Sequence, residues 1–113
     1  MKVLVHHIYE YRKGLRSLVL HTLSAEYREE AVRKLTANKI DFVIQDIDER
    51  KINIFFGAPE CVEIIRNFGP KKLNQFTDEE DFILGIMLGY CRLEQCKRFL
   101  KRKEKKNNRE SAA

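Results

Sequence analysis

The sequence predicts an α+β protein: a three-stranded, mainly antiparallel sheet with a β-α-β-β-α core, packed with about five helices. Three observations support this class. Segments with the helical period alternate with short segments in which apolar and polar residues alternate. The polar loop DERK separates two of the strand-like segments and indicates a β-hairpin, so these strands pair antiparallel. The motif TDEE then predicts the start of a helix in the last third of the chain.

The length and composition indicate a single soluble domain. The chain has 113 residues, of which 43% are hydrophobic and 35% charged, as in globular proteins that bury their own core. We expect residues 1–104 to form this domain and residues 105–113 to form a flexible basic tail. The longest apolar run is too short for a membrane span, and the N-terminus lacks a secretory pattern. Three cysteines without a CxxC pair favour a reducing compartment, so we expect a cytoplasmic protein.

The first segment has the period of a helix. Apolar side chains recur at intervals of four, three and four residues, at Leu4, Ile8, Tyr11 and Leu15. This spacing predicts a helix over residues 2–13 that ends at Gly14. The alternation of Val3, Val5 and His7 leaves a short strand open as the alternative.

The next elements alternate between strand and helix. Residues 15–24 predict the first strand, and residues 25–39 predict a helix whose left-handed exit falls at Asn38. IDFVIQDI and KINIFFG predict the second and third strands, joined by the hairpin. APECVEIIRNFG predicts a third helix with Pro59 near its start. The residues expected on its buried side are Val62, Ile65 and Phe68.

The fourth predicted helix is apolar around most of its circumference. Thr77 and Glu80 form a capping box at its start, and six large apolar residues follow: Phe82, Ile83, Leu84, Ile86, Met87 and Leu88. A chain of this size cannot cover every face of such a helix, and its helices are enough to cover only one face of the sheet. We therefore expect a homodimer with an interface formed by Ile83, Ile86 and Met87. Gly85 and Gly89 permit either a close helix contact or a bend.

The positive charge is concentrated at the C-terminus. The net charge is +5, and residues 97–113 hold eight basic residues against two acidic ones, so the rest of the chain is nearly neutral. A fifth helix is predicted over residues 92–104, and its expected buried residues are Leu93, Cys96, Phe99 and Leu100. We expect the basic residues of this region to bind a partner, through Lys97, Arg98, Lys101, Arg102 and Lys105.

Several stretches resemble a small family of bacterial proteins of unknown function. The resemblance rests on KGLRSLVLHT, INIFFG, TDEEDFILGIMLGY and QCKRFLKR and covers nearly the whole chain. It implies an α+β fold of three strands and about five helices, a homodimer, and flavodoxin genes as neighbours. The family carries no established catalytic residues, so the resemblance assigns none here.

Residues with chemical potential do not assemble into a recognisable catalytic or metal motif. His6 and His7 are adjacent and diverge on a helix, and spacing supplies no carboxylate or cysteine to complete a metal set with His21. We expect His7 to pack and His6 to be solvated. Cys91 and Cys96 are too far apart for a redox pair. We therefore expect a protein that is not an enzyme and that binds no cofactor or metal.

Three functions remain open. The first is a non-enzymatic interaction or regulatory module whose basic C-terminus engages an acidic protein, and flavodoxins fit because they are typically acidic. The alternative is a nucleic-acid-binding protein that uses the same basic region, although no groove-reading motif accompanies it. The third is a small-molecule sensor that uses a face of the sheet.

Overall fold

The computed structural model describes the backbone of residues 1–112 and the side chains of residues 1–109. Within this part, the elements in chain order are α1 (Lys2–Arg12), β1 (Leu18–Ser24), α2 (Arg28–Ala37), β2 (Asp41–Asp46), β3 (Lys51–Gly57), α3 (Pro59–Asn67), α4 (Asp78–Met87) and α5 (Arg92–Ala112). Two short 3₁₀ turns, Ala25–Tyr27 and Leu73–Gln75, precede α2 and α4. The predicted α+β class is confirmed. None of the helices described is long and apolar enough to cross a membrane.

The N-terminal segment is a helix and not a strand. Leu4 and Ile8 lie on one side of α1 and are buried against the sheet, while Val3 and Val5 are exposed. The segment is helical because the spacing of four residues places its buried apolar side chains on the one side that faces the core.

The sheet has the order β1-β3-β2, and β3 pairs antiparallel with both neighbours. The β2–β3 pairing confirms the predicted hairpin. Since β1 and β2 both run opposite to β3, they are parallel to each other and need the crossover that α2 provides. Side chains at the same register point to the same face, so Leu20, Phe55 and Val43 form one row across the three strands.

Helices cover both faces of the sheet. On one face, α1 and α2 pack over a core that includes Ile52, Ile54 and Phe56 of β3. On the other face, α3 and α4 pack over Leu18 and Phe55. The expectation that one face lacks helices is therefore wrong, and it no longer supports dimerisation. The structure is a three-layer arrangement with β3 at its centre.

The third helix follows its sequence signals. Pro59 occupies its first turn, where the missing N–H has no intrahelical partner to lose, and Val62 and Ile65 are buried as predicted. Phe68 is half-buried and stacks edge-on against Phe76 at a centroid separation of 5.3 Å.

Two boundaries differ from the predicted ones. The first strand begins at Leu18, because Leu15 is exposed and residues 15–17 form the turn after α1. The left-handed residue after α2 is Lys39, with φ 57°, and not Asn38. The Asn38 amide is used differently: it donates to the Lys34 carbonyl at 2.8 Å and so caps the last turn.

The fifth helix is longer and less buried than predicted. It continues to Ala112 instead of ending near residue 104, because Lys, Arg and Glu are strong helix formers and need no apolar contact to stay helical. Its apolar residues Leu93 and Leu100 were expected in the core and are exposed, so that prediction is wrong. The flexibility of residues 105–113 stays a prediction, and Ala113 lies outside the described residues.

A substitution at Gly57, at the end of β3, can test how closely β1 approaches this strand. Its φ is +147°, and a Cβ there would collide with the Ser17 carbonyl oxygen and lie 3.1 Å from the Leu18 Cα. We expect Gly57→Ala to lower the free energy of unfolding by about 2 kcal/mol or more, because backbone strain and a backbone clash act together. Urea denaturation measures the loss.

Gly69→Ala is the matched control. Gly69 also has a positive φ, +88°, but no atom lies within 4 Å of the added Cβ. Its substitution should cost only the conformational strain, roughly 1 kcal/mol. Equal losses in the two variants would show that the approach of β1 to Gly57 does not matter.

Candidate interaction surface

The α4–α5 hairpin is built around two glycines. Gly89, with φ +85°, ends α4 and donates its N–H to the Ile86 carbonyl at 3.0 Å. Gly85 is buried, and a Cβ there would collide with the Gln95 side chain of α5. The sequence left open a close helix contact or a bend at these glycines. Both are present, because Gly85 permits the close contact and Gly89 forms the turn.

The first turn of α4 holds a capping box and a cluster of acidic residues. The Thr77 hydroxyl accepts from the Glu80 N–H at 3.1 Å, and the Glu80 carboxylate accepts from the Thr77 N–H at 2.8 Å, as predicted. The acidic residues of this turn are Asp78, Glu79, Glu80 and Asp81. Negative charge is favourable at this end because the helix dipole presents its positive pole there.

Basic residues of α5 pair with this acidic turn. Arg98 binds Asp81 through two hydrogen bonds of 2.9 and 3.1 Å. Arg102 contacts Asp78 at 2.9 Å and Asp81 at 2.8 Å, and Lys103 contacts Glu79 at 2.6 Å. We call these six residues the ion-pair cluster: Asp78, Glu79, Asp81, Arg98, Arg102 and Lys103. It fixes the register of α5 on α4.

The ion-pair cluster shifts the acidity of its members. The Arg98 guanidinium, hydrogen-bonded to Asp81, holds the pKa of that carboxyl below its usual range. The same contact raises the pKa of Arg98. The hydrogen bond between Lys103 and Glu79 lowers the pKa of the carboxyl and raises that of the ammonium. The charged forms are therefore the ones that the folded hairpin favours.

The five predicted partner-binding residues fall into two groups. Arg98 and Arg102 belong to the ion-pair cluster and are already neutralised within the chain. Lys97 is exposed and lies 3.6 Å from Glu94, a solvent-screened contact of small energetic weight. Lys101 and Lys105 are exposed and make no ion pair with the described side chains.

The free basic residues continue along α5. Lys97, Lys101 and Lys105 are spaced by four residues and lie on one face of the helix. Farther along, a groove of about 290 Å³ between α5 and the start of α4 is lined in part by Lys105, Lys106 and Arg109. We call the exposed set the basic surface: Lys97, Lys101, Lys105, Lys106 and Arg109.

An apolar stripe follows another side of the hairpin. The Phe82 and Phe99 rings meet with centroids 5.5 Å apart, and Ile86 lies one helical turn beyond Phe82. α4 and α5 are antiparallel. Residues that follow the contact by the same rotation about the axis of their own helix therefore lie on the same side of the hairpin. This spacing places seven residues in the apolar stripe: Phe82, Ile83, Ile86, Leu93, Cys96, Phe99 and Leu100.

The apolar stripe is substantially accessible to solvent. The exposed fractions are 37% for Ile83, 38% for Ile86, 61% for Leu93 and 64% for Leu100. Of the three predicted interface residues, Ile83 and Ile86 lie in the stripe. Met87 instead packs partly buried against the core between the sheet and α3. The structure thus separates Met87 from the other two.

The three histidines lie near one another, His6 and His7 in the middle of α1 and His21 on β1. The His7 ring is 5.2 Å from that of His21 and 6.4 Å from that of His6. Glu10 approaches His7 at 3.3 Å and His6 at 3.6 Å, a carboxylate that its three- and four-residue spacing could have revealed. Burial, and then the charge of His7, lower the pKa of His21. His7 is half-buried and His6 exposed, as expected.

Metal binding is not indicated by this cluster. Across residues 1–109, no group of three or more His, Cys, Asp and Glu side chains is arranged to hold a metal ion. The expectation that metal has no role stays a prediction. Cys61, Cys91 and Cys96 are free thiols, and burial raises the pKa of Cys61, which disfavours its thiolate.

A row of polar residues across the sheet was not predicted from the sequence. Thr22, Asn53 and Gln45 share one register across β1, β3 and β2. The signal was present in KINIFFG, where Asn53 interrupts an otherwise apolar central strand. A polar residue at such a position needs a partner or a role.

The fold and the hairpin together define a small three-layer α+β protein with an exposed helical hairpin that carries adjoining apolar and basic surfaces. The chain belongs to a family described as "Protein of unknown function (DUF2023)", which matches residues 2–102. No match to a curated protein was found. The resemblance to a family of unknown function is thereby confirmed, while the homodimer and the link to flavodoxins stay predictions.

Asp81 allows the ion-pair cluster to be tested by pH. Because its folded pKa is lowered, Asp81 stabilises the fold above its unfolded pKa of about 3.9, and this contribution is lost as the pH falls through the folded value. We expect Asp81→Asn to lower the free energy of unfolding by about 1 kcal/mol at pH 7. The difference from wild type should shrink below about pH 4, as measured by urea denaturation across the pH range.

Glu94→Gln provides the control. Among the described side chains, Glu94 pairs only with exposed Lys97 at 3.6 Å, so its neutralisation should change stability by less than about 0.5 kcal/mol at either pH. If Asp81→Asn has no larger effect than this control at pH 7, the ion-pair cluster does not hold the hairpin together.

Proposed function

We propose that this protein is a non-enzymatic cytoplasmic interaction module that forms a homodimer and engages an acidic protein partner, with a flavodoxin as the first candidate. One observation carries the proposal: the α4–α5 hairpin presents an apolar stripe and, adjoining it along α5, a basic surface. Neither is consumed by the fold as described, and each fits a different kind of contact.

A second copy of the chain is the proposed occupant of the apolar stripe. Two hairpins related by a two-fold axis would pack stripe against stripe and form a four-helix arrangement. The apolar stripe runs along α5 from Leu93 to Leu100, which is eight residues or about 12 Å, and continues on α4. The homodimer implied by the family resemblance supports the same occupant.

An acidic protein is the proposed partner of the basic surface. α5 already pairs closely with carboxylates, since the ion-pair cluster binds the acidic turn of α4. Lys101 and Lys105 offer the same chemistry to another molecule, without an internal ion pair to break. Exposed charges of this kind mainly accelerate association, and salt screens them beyond about 8–10 Å.

The two contacts do not exclude each other. Helical spacing separates Lys101 from Leu93 and Leu100 around α5, so a dimer joined through the apolar stripe would leave Lys101 accessible on both copies. A dimer would then present two basic surfaces to acidic partners, which increases the apparent affinity for a partner that reaches both.

Dimerisation is tested with Ile86→Asp. We expect light scattering of the wild type at micromolar concentration to report about twice the 13.4 kDa chain mass. The Asp variant should shift to the monomer mass while remaining folded, because the charge would be buried only in the dimer. Circular dichroism reports the fold of the variant.

Val3→Asp is the matched control for this substitution. Val3 is 56% exposed on α1, away from the hairpin, and its variant should stay dimeric. A monomeric wild type, or a dimer that survives Ile86→Asp, would contradict the apolar stripe as the interface.

Partner binding is tested by reversing charge on the basic surface. A Lys97→Glu, Lys101→Glu, Lys105→Glu variant should bind an acidic flavodoxin from the same organism at least tenfold more weakly in 50 mM salt, mainly through slower association. For the wild type, the association rate should fall as salt rises to 300 mM. Biolayer interferometry measures both rates.

A second triple variant controls for net charge. Lys2→Glu, Arg33→Glu and Arg50→Glu change the charge by the same amount at exposed positions outside α5. If this variant loses binding equally, the protein's overall charge and not its basic surface attracts the partner. Submicromolar binding of oligonucleotides at 150 mM salt, lost in the first variant only, would favour the nucleic-acid alternative.

A further inference from the structure

Part of one sheet face is covered by neither α3 nor α4. Its floor is the row of Thr22, Asn53 and Gln45, one residue from each strand at the same register. The 3₁₀ turn Leu73–Gln75 borders this area and leaves a cleft of about 380 Å³ above the row. Small-molecule sites in proteins typically have volumes of roughly 300–1,000 Å³.

The floor of the cleft is polar, although its middle residue, Asn53, belongs to the buried central strand. Asn53 is only 4% exposed, and its Oδ1 accepts from the Thr22 hydroxyl at 2.6 Å. The Gln45 Oε1 is buried and has no hydrogen-bond partner among the described side chains. Such an acceptor costs free energy, and an apolar residue would avoid this cost.

The walls combine apolar side chains with a charged rim. Ile47 and Leu73 line the cleft, and Asp46 and Lys72 lie at its edge. Asp46 is already paired with Arg28 at 2.9 Å, so it does not offer a free charge to a ligand, and solvent screens the charge of Lys72, which is exposed at the edge. Leu73 is held by a formed turn, in which the Gln75 side chain accepts from the Lys72 N–H at 2.8 Å. The cleft therefore has apolar walls and an uncharged, hydrogen-bonding floor.

We propose that this cleft binds a neutral planar ring compound that carries an amide edge, an N–H beside a C=O. On binding, the Gln45 carboxamide turns toward the ligand, so that its Oε1, buried in the free protein, accepts from the ligand N–H, and the ligand C=O accepts from a carboxamide N–H of the floor. Since Asn53 Oδ1 already accepts from Thr22, the Asn53 nitrogen is available as a donor. An amide edge complements a side-chain amide in either orientation, so the match does not depend on how the Gln45 oxygen and nitrogen are assigned.

The apolar walls favour a ligand with a flat ring, and the uncharged floor favours a ligand without a net charge. Ile47 and Leu73 provide apolar surface for the faces of a flat molecule, and no ionised side chain belongs to the floor row to balance a charge. Pyrimidine bases and other cyclic amides share this chemistry. The proposal concerns the sheet, and it holds independently of what the hairpin binds.

Uracil is the probe for a titration followed by ¹H–¹⁵N NMR. We expect chemical-shift changes confined to amides around the cleft, including Thr22, Gln45, Asn53 and Leu73, with saturation approached at millimolar concentrations because the ligand is small. 1,3-Dimethyluracil keeps the ring and both carbonyls but has no N–H. It should bind at least about tenfold more weakly, because it leaves the Gln45 acceptor unpaired.

Gln45→Leu tests the residue directly. The variant should lose the uracil shifts and should unfold at a higher urea concentration than wild type, because it removes a buried acceptor without a partner. Gln95→Leu makes the same change on α5, where the side chain contacts Gly85, and it should leave the uracil titration unchanged.

The outcomes that overturn the proposal are distinct. They are an absence of cleft shifts with uracil up to about 10 mM, shifts centred elsewhere, or equal affinity for 1,3-dimethyluracil. Uracil binding that survives in Gln45→Leu also overturns it. The comparison of the two ligands uses the wild type alone, so it decides the matter even if a variant fails to fold.

Discussion

The burial of β3 on both faces is the constraint on which the rest of the structure depends. β3 pairs with both other strands, and six of its seven residues, from Ile52 to Gly57, are buried. Alternate side chains point to opposite faces, so Ile54 and Phe56 require the cover of α1 and α2 while Phe55 requires α3 and α4. A two-sided central strand therefore calls for helices on each face, which this short chain supplies from both ends. Gly57 completes the strand where β1 approaches too closely for any side chain.

Local signals explain why most of the fold could be predicted from the sequence. The period of α1, the loop between β2 and β3, Pro59 and the Thr77 capping box each act within a few residues, and each element lies where its signal placed it. The errors involve forces that act over longer separations in sequence. The end of α5 could not be derived from apolar spacing, because its charged residues are good helix formers and pair with α4, 17 residues away in the case of Asp81 and Arg98. The exposure of Leu93 and Leu100 depends on how α5 lies against α4, which periodicity alone does not state.

The candidate surfaces were predictable in composition but not in arrangement. Counting charges located the basic region correctly, yet it could not show that Arg98 and Arg102 neutralise the acidic turn of α4. Because of this pairing, the net charge overstates the number of basic residues that are available to a partner. The available ones are fewer and lie nearer the end of α5. The cleft was missed for a related reason. The pattern of KINIFFG predicts a strand but not the neighbours of Asn53, and only the strand register brings it beside Thr22 and Gln45.

Two features of this protein are unfavourable for an isolated, folded monomer. Exposed Leu93 and Leu100 retain the free-energy cost of apolar contact with water, and the buried Gln45 oxygen has lost its contact with water without gaining a protein donor. Polar surface residues and an apolar sheet interior would remove both costs and keep the same topology, because neither feature belongs to the α1, α2 and α3 contacts that cover β3. Costs that the fold does not require are best explained by contacts with other molecules. The two features differ in chemistry and lie on different elements, so the contacts that we propose are of two kinds: a second protein surface for the hairpin and a small hydrogen-bonding ligand for the sheet.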